Sequence, residues 1–339
     1  MQKRSCLLLV GATLLLVAAA IYAVASGDRA VSLPPHGGRA LPGLAAKLGD
    51  LAWLRLVRGA MTVDFTAIGG GWVVVERANY KAAPQRMRQL LLGLADLTLM
   101  EPKTRRPDRL SRLDLDDPKN GRSTLVTLQD RAGKTVGELI VGKSRPDLLG
   151  GGNGGVYVRK PGDNQAWLAR GSLDLAGGIT SWLDRRILDI APSRIAALTL
   201  TAADGVALKL RAAPDGSFTV VGAPAGTRFK DAAALAAPAG ALAGLVLADV
   251  QPAAQLPVPA SGVARAIFTT VDGLTLSLRL FVHDKTDWVA VSAAGQGAAA
   301  AQARAIDARL APWTYAIPAE RAQLLRTRLA DLVMPAKGS

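Results

Sequence analysis

The chain is poor in reactive side chains: one cysteine, Cys6, and two histidines, His36 and His283, in 339 residues. Cys6 lies inside an apolar run, so the rest of the chain has no disulfide and no thiol chemistry. Its stability must come from core burial. Two distant histidines without a second cysteine exclude the usual zinc ligand sets. Aromatic residues make up only 4% of the chain. No basic run is interleaved with stacking rings, which argues against single-stranded nucleic acid. Asn79, Asn120, Asn153 and Asn164 open no Asn-x-Ser/Thr sequon. A G-x-S-x-G nucleophile elbow is also missing.

Positive charge and apolar residues are abundant. Lysine and arginine total 41 against 27 acids, a net charge of +14. Such a balance points to nucleic acid, anionic lipid or an acidic partner. The densest basic stretch is Lys103-Thr104-Arg105-Arg106, followed by Arg109 and Arg112. Asp108, Asp114, Asp116 and Asp117 partly neutralise it. It reads as a solvated loop or as a contact for anionic headgroups or an acidic partner.

Cys6 to Ala25 form an unbroken apolar run behind Lys3 and Arg4. As a helix this run reaches ~30 Å, about the hydrocarbon thickness of a bilayer. The charge distribution puts the N-terminus in the cytoplasm and the main body in the periplasm of a bacterial inner membrane. The rival is a signal peptide cleaved after Ala25, where Ala23-Val24-Ala25 fits an A-x-A site.

Beyond this run the chain reads as one unit written twice. The expected divisions are 1–25 (membrane anchor or signal peptide), 26–43 (linker), 44–191 and 192–333 (two repeats) and 334–339 (tail). In the first repeat, a strand-like stretch over Ala52–Asp64 precedes a Gly69-Gly70-Gly71 turn and the strand Trp72–Glu76. Pro84 opens a helix with Met87, Leu90, Leu91, Leu94 and Leu97 on one face, and Pro102 ends it. Two hairpins and the segment around Trp182 follow. In the second repeat, Leu242–Leu247 answers Leu94–Leu99. Ala266–Thr270 and Leu274–Phe281 pair across Asp272-Gly273. Ala311-Pro312-Trp313 answers the Trp182 segment, and a last helix runs near Pro318–Leu332. The expected fold class is α+β: an N-terminal transmembrane helix, then a duplicated unit of mostly antiparallel sheet plus helix.

Several motifs suggest chemistry that their context opposes. Gly137-Glu138-Leu139-Ile140-Val141-Gly142-Lys143-Ser144 satisfies the P-loop pattern literally. Its middle residues read as strand, however, and Arg145-Pro146 spoils the helix that must follow. Gly150 to Gly155 contain five glycines around Asn153 but open no helix, so they read as a loop. Asp114, Asp116 and Asp117 lack the spacing of a calcium loop and read as turn caps. His283 beside Asp284 is the only candidate for a triad, and no nucleophile motif accompanies it. Trp72, Trp182 and Trp313 read as packing residues, with exposed binding aromatics as the alternative. No catalytic, cofactor-binding or metal residue is assigned, and no cofactor is expected.

The Trp72 strand, the Leu-rich helix, Leu113-Asp114-Leu115-Asp116-Asp117-Pro118, Ile140-Val141-Gly142-Lys143, Val156-Tyr157-Val158-Arg159 and Trp182–Leu188 together resemble a known series. The chain is similar, over most of residues 45–330, to the bacterial domain-of-unknown-function 4340 family. In that family the Gly-Lys run marks a β-rich element rather than a nucleotide site. The resemblance implies a membrane-complex partner of the kind found with gliding-motility-type ABC transporter auxiliary proteins, and no catalytic residues. The expected function is therefore a non-enzymatic periplasmic accessory or scaffold subunit of an ABC-transporter-type complex. The alternative is a binding module for a polyanionic envelope ligand, glycan or lipid headgroup. The expected partners are the membrane and a membrane protein, without nucleic acid or nucleotide.

Overall fold

The computed structural model describes residues 38–147 and 154–334. Alternating patterns of apolar and polar residues build most of it as antiparallel sheet. In Leu274–His283, for example, Leu274, Leu276, Leu278 and Leu280 are buried while Arg279 is exposed and Thr275 and Ser277 are half-exposed. The first sheet takes β1 (Gly38–Arg39), β2 (Leu51–Arg58), β3 (Met61–Ile68), β4 (Gly71–Val74), β5 (Tyr80–Lys81), β6 (Thr98–Pro102), β7 (Thr124–Asp130), β8 (Thr135–Arg145), β9 (Gly155–Arg159) and β10 (Trp167–Arg170). A short β11 (Arg186–Leu188) follows. The second sheet opens with β12 (Ile195–Thr201), β13 (Ala207–Ala212) and β14 (Phe218–Val220). After β15 (Leu245–Val246), which pairs with β11, it is completed by β16 (Asp249–Pro252), β17 (Ala264–Thr270), β18 (Leu274–His283), β19 (Thr286–Gly295) and β20 (Trp313–Ala316).

The strand orders of the two sheets correspond. The first runs β1-β6-β10-β9-β8-β7-β2-β3-β4-β5, and the second runs β14-β13-β12-β17-β18-β19-β20-β16. Without the edge strands β1 and β5, adding ten to each label of the first order reproduces the second in reverse. By this correspondence Trp313, which opens β20, matches Trp167, which opens β10, and not the Trp182 segment.

The expected fold class needs correction. The described residues are mostly antiparallel β-sheet with few helices, and no helix among them is long and apolar enough to cross a membrane. The run Cys6–Ala25, on which the transmembrane helix was expected, lies outside the described residues. The helix expected to reach Pro102 stops at Asp96. Thr98–Pro102 leave it as β6, because the edge of β10 offers their backbone a ladder. The corresponding stretch of the second half makes only Ala232–Ala236 as α-helix and Ala237–Leu242 as 3-10 helix. Pro238 and Gly240 sit inside it, and each weakens a helix interior. The expected final helix is two short pieces, Ala319–Leu325 and Leu329–Leu332. The strand-like stretch over Ala52–Asp64 is a hairpin of β2 and β3, turned at Gly59 with φ 56°. The first sheet also gains β1 inside the expected linker.

One hydrophobic cluster runs through both sheets, from Leu54 and Phe65 through Trp182 and Leu242 to Leu276 and Tyr315. Trp182 is fully buried and meets Phe65 edge-on at 5.3 Å between ring centroids. The helix Ala299–Leu310 buries Ala299, Ala303, Ile306 and Leu310 in the same cluster. Its four buried positions lie three or four apart, on a single face.

Candidate functional site

The seam between the sheets is tied by contacts of long sequence separation. Arg77 donates from Nε and one terminal nitrogen to the two carboxylate oxygens of Asp249, at 2.6 and 3.0 Å. This forked pairing fixes direction as well as distance. Tyr80 meets Trp313 edge-on at 4.9 Å and Tyr315 at 6.3 Å. Its hydroxyl donates to the Asp184 carbonyl at 3.3 Å. Arg309, in the last turn of the helix Ala299–Leu310, donates to the carbonyls of Arg186 and Ile187 at 3.1 and 2.8 Å. A cation at a helix C-terminus is also favoured by the unpaired carbonyls there.

A cavity of about 860 Å³ opens on this seam. That volume falls within the usual range for small-ligand sites, ~300–1,000 Å³. The first half supplies the β3–β4 turn, where Gly69 and Gly70 both have positive φ, then Trp72, Tyr80 and Lys81. The helix Pro84–Asp96 adds Met87, Arg88 and Leu91, where Leu91 lies one turn on from both neighbours, four positions after Met87 and three after Arg88. The second half supplies Arg309 and Trp313, and Asp184 comes from the connection between the halves. The lining is therefore an aromatic and aliphatic wall carrying three cations and one carboxylate. Lys81 and Arg88 make no ion pair among the described residues, and both are exposed. Trp72 and Trp313 are half-buried, each with part of its ring available to an occupant.

Burial raises both phenols of the seam. The Tyr80 pKa is pushed up to about 12, first by burial and then by the charge of Asp184. The Tyr315 hydroxyl, buried without a hydrogen-bond partner, is pushed up by burial as well. A phenol whose pKa rises on folding stabilises the fold fully below its ordinary value near 10 and loses that contribution as pH rises through about 12. Stability is therefore expected to fall between these pH values, and less steeply in Tyr80→Phe. A spectrophotometric titration should show Tyr80 and Tyr315 silent near pH 10 in the folded protein and titrating there in urea. Full phenolate absorbance near pH 10 without unfolding would contradict this.

The sequence-selected residues lie elsewhere, apart from Trp72 and Trp313. Gly137 to Ser144 all lie on β8, where the register shifts between Val141 and Ser144. Asp114 ends a 3-10 turn with φ 51° and pairs with Arg122 at 2.9 Å. Asp117 Oδ1 accepts the Lys119 N–H at 3.0 Å, a turn-capping bond. Among the described residues, no group of three His, Cys, Asp or Glu could hold a metal. His283 sits at the tip of the β18–β19 hairpin, with Nε2 3.3 Å from Asp284. His36 and Gly150 to Asn153 lie outside the described residues, whereas Gly154 and Gly155 lead into β9. Arg105 donates to Gln165 at 2.7 Å, Arg106 pairs with Asp108 at 3.2 Å, and Lys103 pairs with Glu101 at 2.6 Å. Tyr80, Lys81, Arg88 and Arg309 carry no motif, and Asp184 stands in the sequence only as part of the Trp182–Leu188 segment, with no site role assigned. Only the folded seam brings them together.

A family model described as "Domain of unknown function (DUF4340)" matches residues 72–255, more than half of the chain. The chain belongs to the DUF4340 family. No curated protein and no solved structure matches it. The DUF4340 match begins at Trp72, on the cleft wall, and includes Tyr80, Lys81, Arg88 and Asp184. Arg309 and Trp313 lie beyond it.

Proposed function

We propose that this DUF4340 protein is a non-enzymatic accessory subunit of a bacterial membrane complex of ABC-transporter type, working at the periplasmic face of the inner membrane. In this reading the seam cleft holds a segment of a partner that carries apolar and acidic side chains. The observation that carries the reading is the cleft lining: Trp72, Trp313, Met87 and Leu91 beside Lys81, Arg88 and Arg309. Half-buried aromatics with flanking cations are the anchor chemistry of protein interfaces. Export is supported by the apolar run behind Lys3 and Arg4.

The test is co-purification of the full chain from its native membranes in mild detergent. Wild type is expected to retain a membrane-protein partner. The double variant Trp72→Ala, Trp313→Ala should retain its circular dichroism spectrum and lose at least about tenfold of that partner, since two central aromatic anchors are worth ~2 kcal/mol or more each. Recovery of wild type as a lone monomer, or equal recovery of partner by the variant, would count against the reading. A second reading, a binding module for a polyanionic envelope ligand, is favoured by the net charge of +14.

A further inference from the structure

The outward face of the second sheet carries charge that nothing among the described residues answers. On β17, Arg265 and Ile267 point away from the buried Ala264, Ala266 and Phe268. On β18, Thr275, Ser277 and Arg279 point the same way. The register places Arg265 directly opposite Arg279. Like charges directly opposed across strands destabilise a sheet. Two strands away from β17 and three from β18, on β13, Lys209 and Arg211 join the same face, and Lys209 lies opposite Thr199. All four cations are exposed, and none makes an ion pair or a side-chain hydrogen bond among the described residues. The outward positions of β12, β13, β17 and β18 hold no acid. Of the acids in the adjoining turns, Asp215 accepts from the Ser217 hydroxyl at 2.7 Å and Asp284 lies 3.3 Å from His283. Asp204 is held by Arg328 at 2.7 Å, and Asp272 by Thr270 and by Arg194 at 2.7 Å. These partners keep both carboxylates below their ordinary pKa range.

The corresponding row of the first sheet is built the other way. There Arg55 lies opposite Asp64 and binds it through two bonds of 2.6 and 2.7 Å, and Thr127 donates to Glu138 at 3.1 Å. The same topology therefore carries a neutralised face in one sheet and a cationic one in the other. Hydroxyls interleave the cations: Thr199, Thr201, Thr269, Thr275 and Ser277. Arginine, lysine and hydroxyl donors together are the set that binds phosphate oxygens. No exposed aromatic ring lies on the outward side of these four strands to stack on a sugar, since Phe281 of β18 is buried under Leu256 and Trp288, which disfavours a glycan. The cations span about 15 Å across the strands, three spacings of ~4.8 Å, on an open sheet surface.

We propose that the outward face of β13, β12, β17 and β18 docks on an anionic phospholipid surface, with Lys209, Arg211, Arg265 and Arg279 contacting headgroup phosphates and Ile267, 39% exposed, resting between them. This deepens the polyanionic-ligand reading by naming its surface and its ligand class, and it does not depend on the seam cleft. The Arg265–Arg279 opposition is then a stability cost retained for binding.

The test is sedimentation of the full chain with vesicles of phosphatidylcholine alone or mixed with phosphatidylglycerol. Whatever residues 6–25 contribute is common to all variants. Wild type should bind the anionic vesicles more strongly, and 0.5 M salt should abolish the difference, given a Debye length of only ~4 Å there. The double reversal Arg265→Glu, Arg279→Glu keeps a like-charge pair and so should keep the melting temperature. It should lose at least about 25-fold of the anionic preference, roughly a factor of five for each lost cation. The single reversal Arg279→Glu should raise the melting temperature by about 1–3 °C, by pairing with Arg265, while weakening vesicle binding. Equal binding of wild type to both vesicle types would overturn the proposal. So would a reversal that leaves the anionic preference intact, or soluble polyglutamate binding this face while anionic vesicles do not, which would point to an acidic protein. Any of these results would leave the co-purification result for the cleft unchanged.

Discussion

Trp182→Ala is expected to destabilise the protein by about 3–5 kcal/mol, the usual cost of truncating a fully buried Trp. Trp182 has no solvent exposure, packs edge-on against Phe65 and lies 4.2 Å beneath the Arg86 guanidinium. Its backbone carbonyl accepts the Ala83 N–H at 2.7 Å, just ahead of the helix Pro84–Asp96. The cavity left by alanine would open beside the first turn of that helix, which also supplies the cleft wall. Trp182→Phe should cost much less, within about 1–2 kcal/mol, because the ring stays and a buried donor is removed. The indole Nε1 has no hydrogen-bond partner, so phenylalanine leaves no acceptor stranded. Chemical denaturation of the three proteins checks this. A midpoint for Trp182→Ala within error of wild type would show that the seam does not depend on this ring.

Gly142→Ala should cost about 2–3 kcal/mol, the upper part of the range for overpacking. A β-carbon at Gly142 would lie 2.6 Å from the Asp114 carbonyl oxygen, closer still to that of Leu113, and 2.9 Å from a Leu115 methyl. Two of these neighbours are backbone atoms of a turn that buries Leu115, so they cannot swing aside. The glycine of the apparent P-loop pattern is thus required by a chain crossing over β8, not by a phosphate. Lys143→Ala, one residue on, should change stability by less than about 0.5 kcal/mol, since it alters an exposed strand residue away from such contacts. Comparable losses for Gly142→Ala and Lys143→Ala would contradict this account.

Much of the β-structure was legible because its periodicity is local. The leucines of β18 alternate with polar residues, and the Asp272-Gly273 turn, with φ 86° at Gly273, marks its hairpin with β17. Pro84 marked the start of the first helix. The end of that helix was not legible. Leu97 and Leu99 continue an apolar pattern that helix and strand share, and only the free edge of β10 decides between them. The helix Ala299–Leu310 escaped notice because alanine-rich sequence has little contrast between its faces.

The candidate site was legible only in part. Trp72 and Trp313 stood out as tryptophans, but nothing in their neighbourhoods tells a wall residue from a core residue. Lys81, Arg88, Asp184 and Arg309 look like ordinary surface charges in sequence. The Arg265–Arg279 opposition is invisible without register, because a shift of one residue would turn one of them inward.

The sequence by itself determined the local alternations, the main turns, the shortage of reactive side chains, the basic balance and the family. Those properties depend on residue type and near neighbours. Only the tertiary structure decided that the described part is mainly antiparallel sheet, that the two sheets share one strand order, and where the cleft and the cationic face lie. Each of those depends on which strand edges meet and in what register. That choice is made by burying one continuous core, which couples residues more than two hundred positions apart.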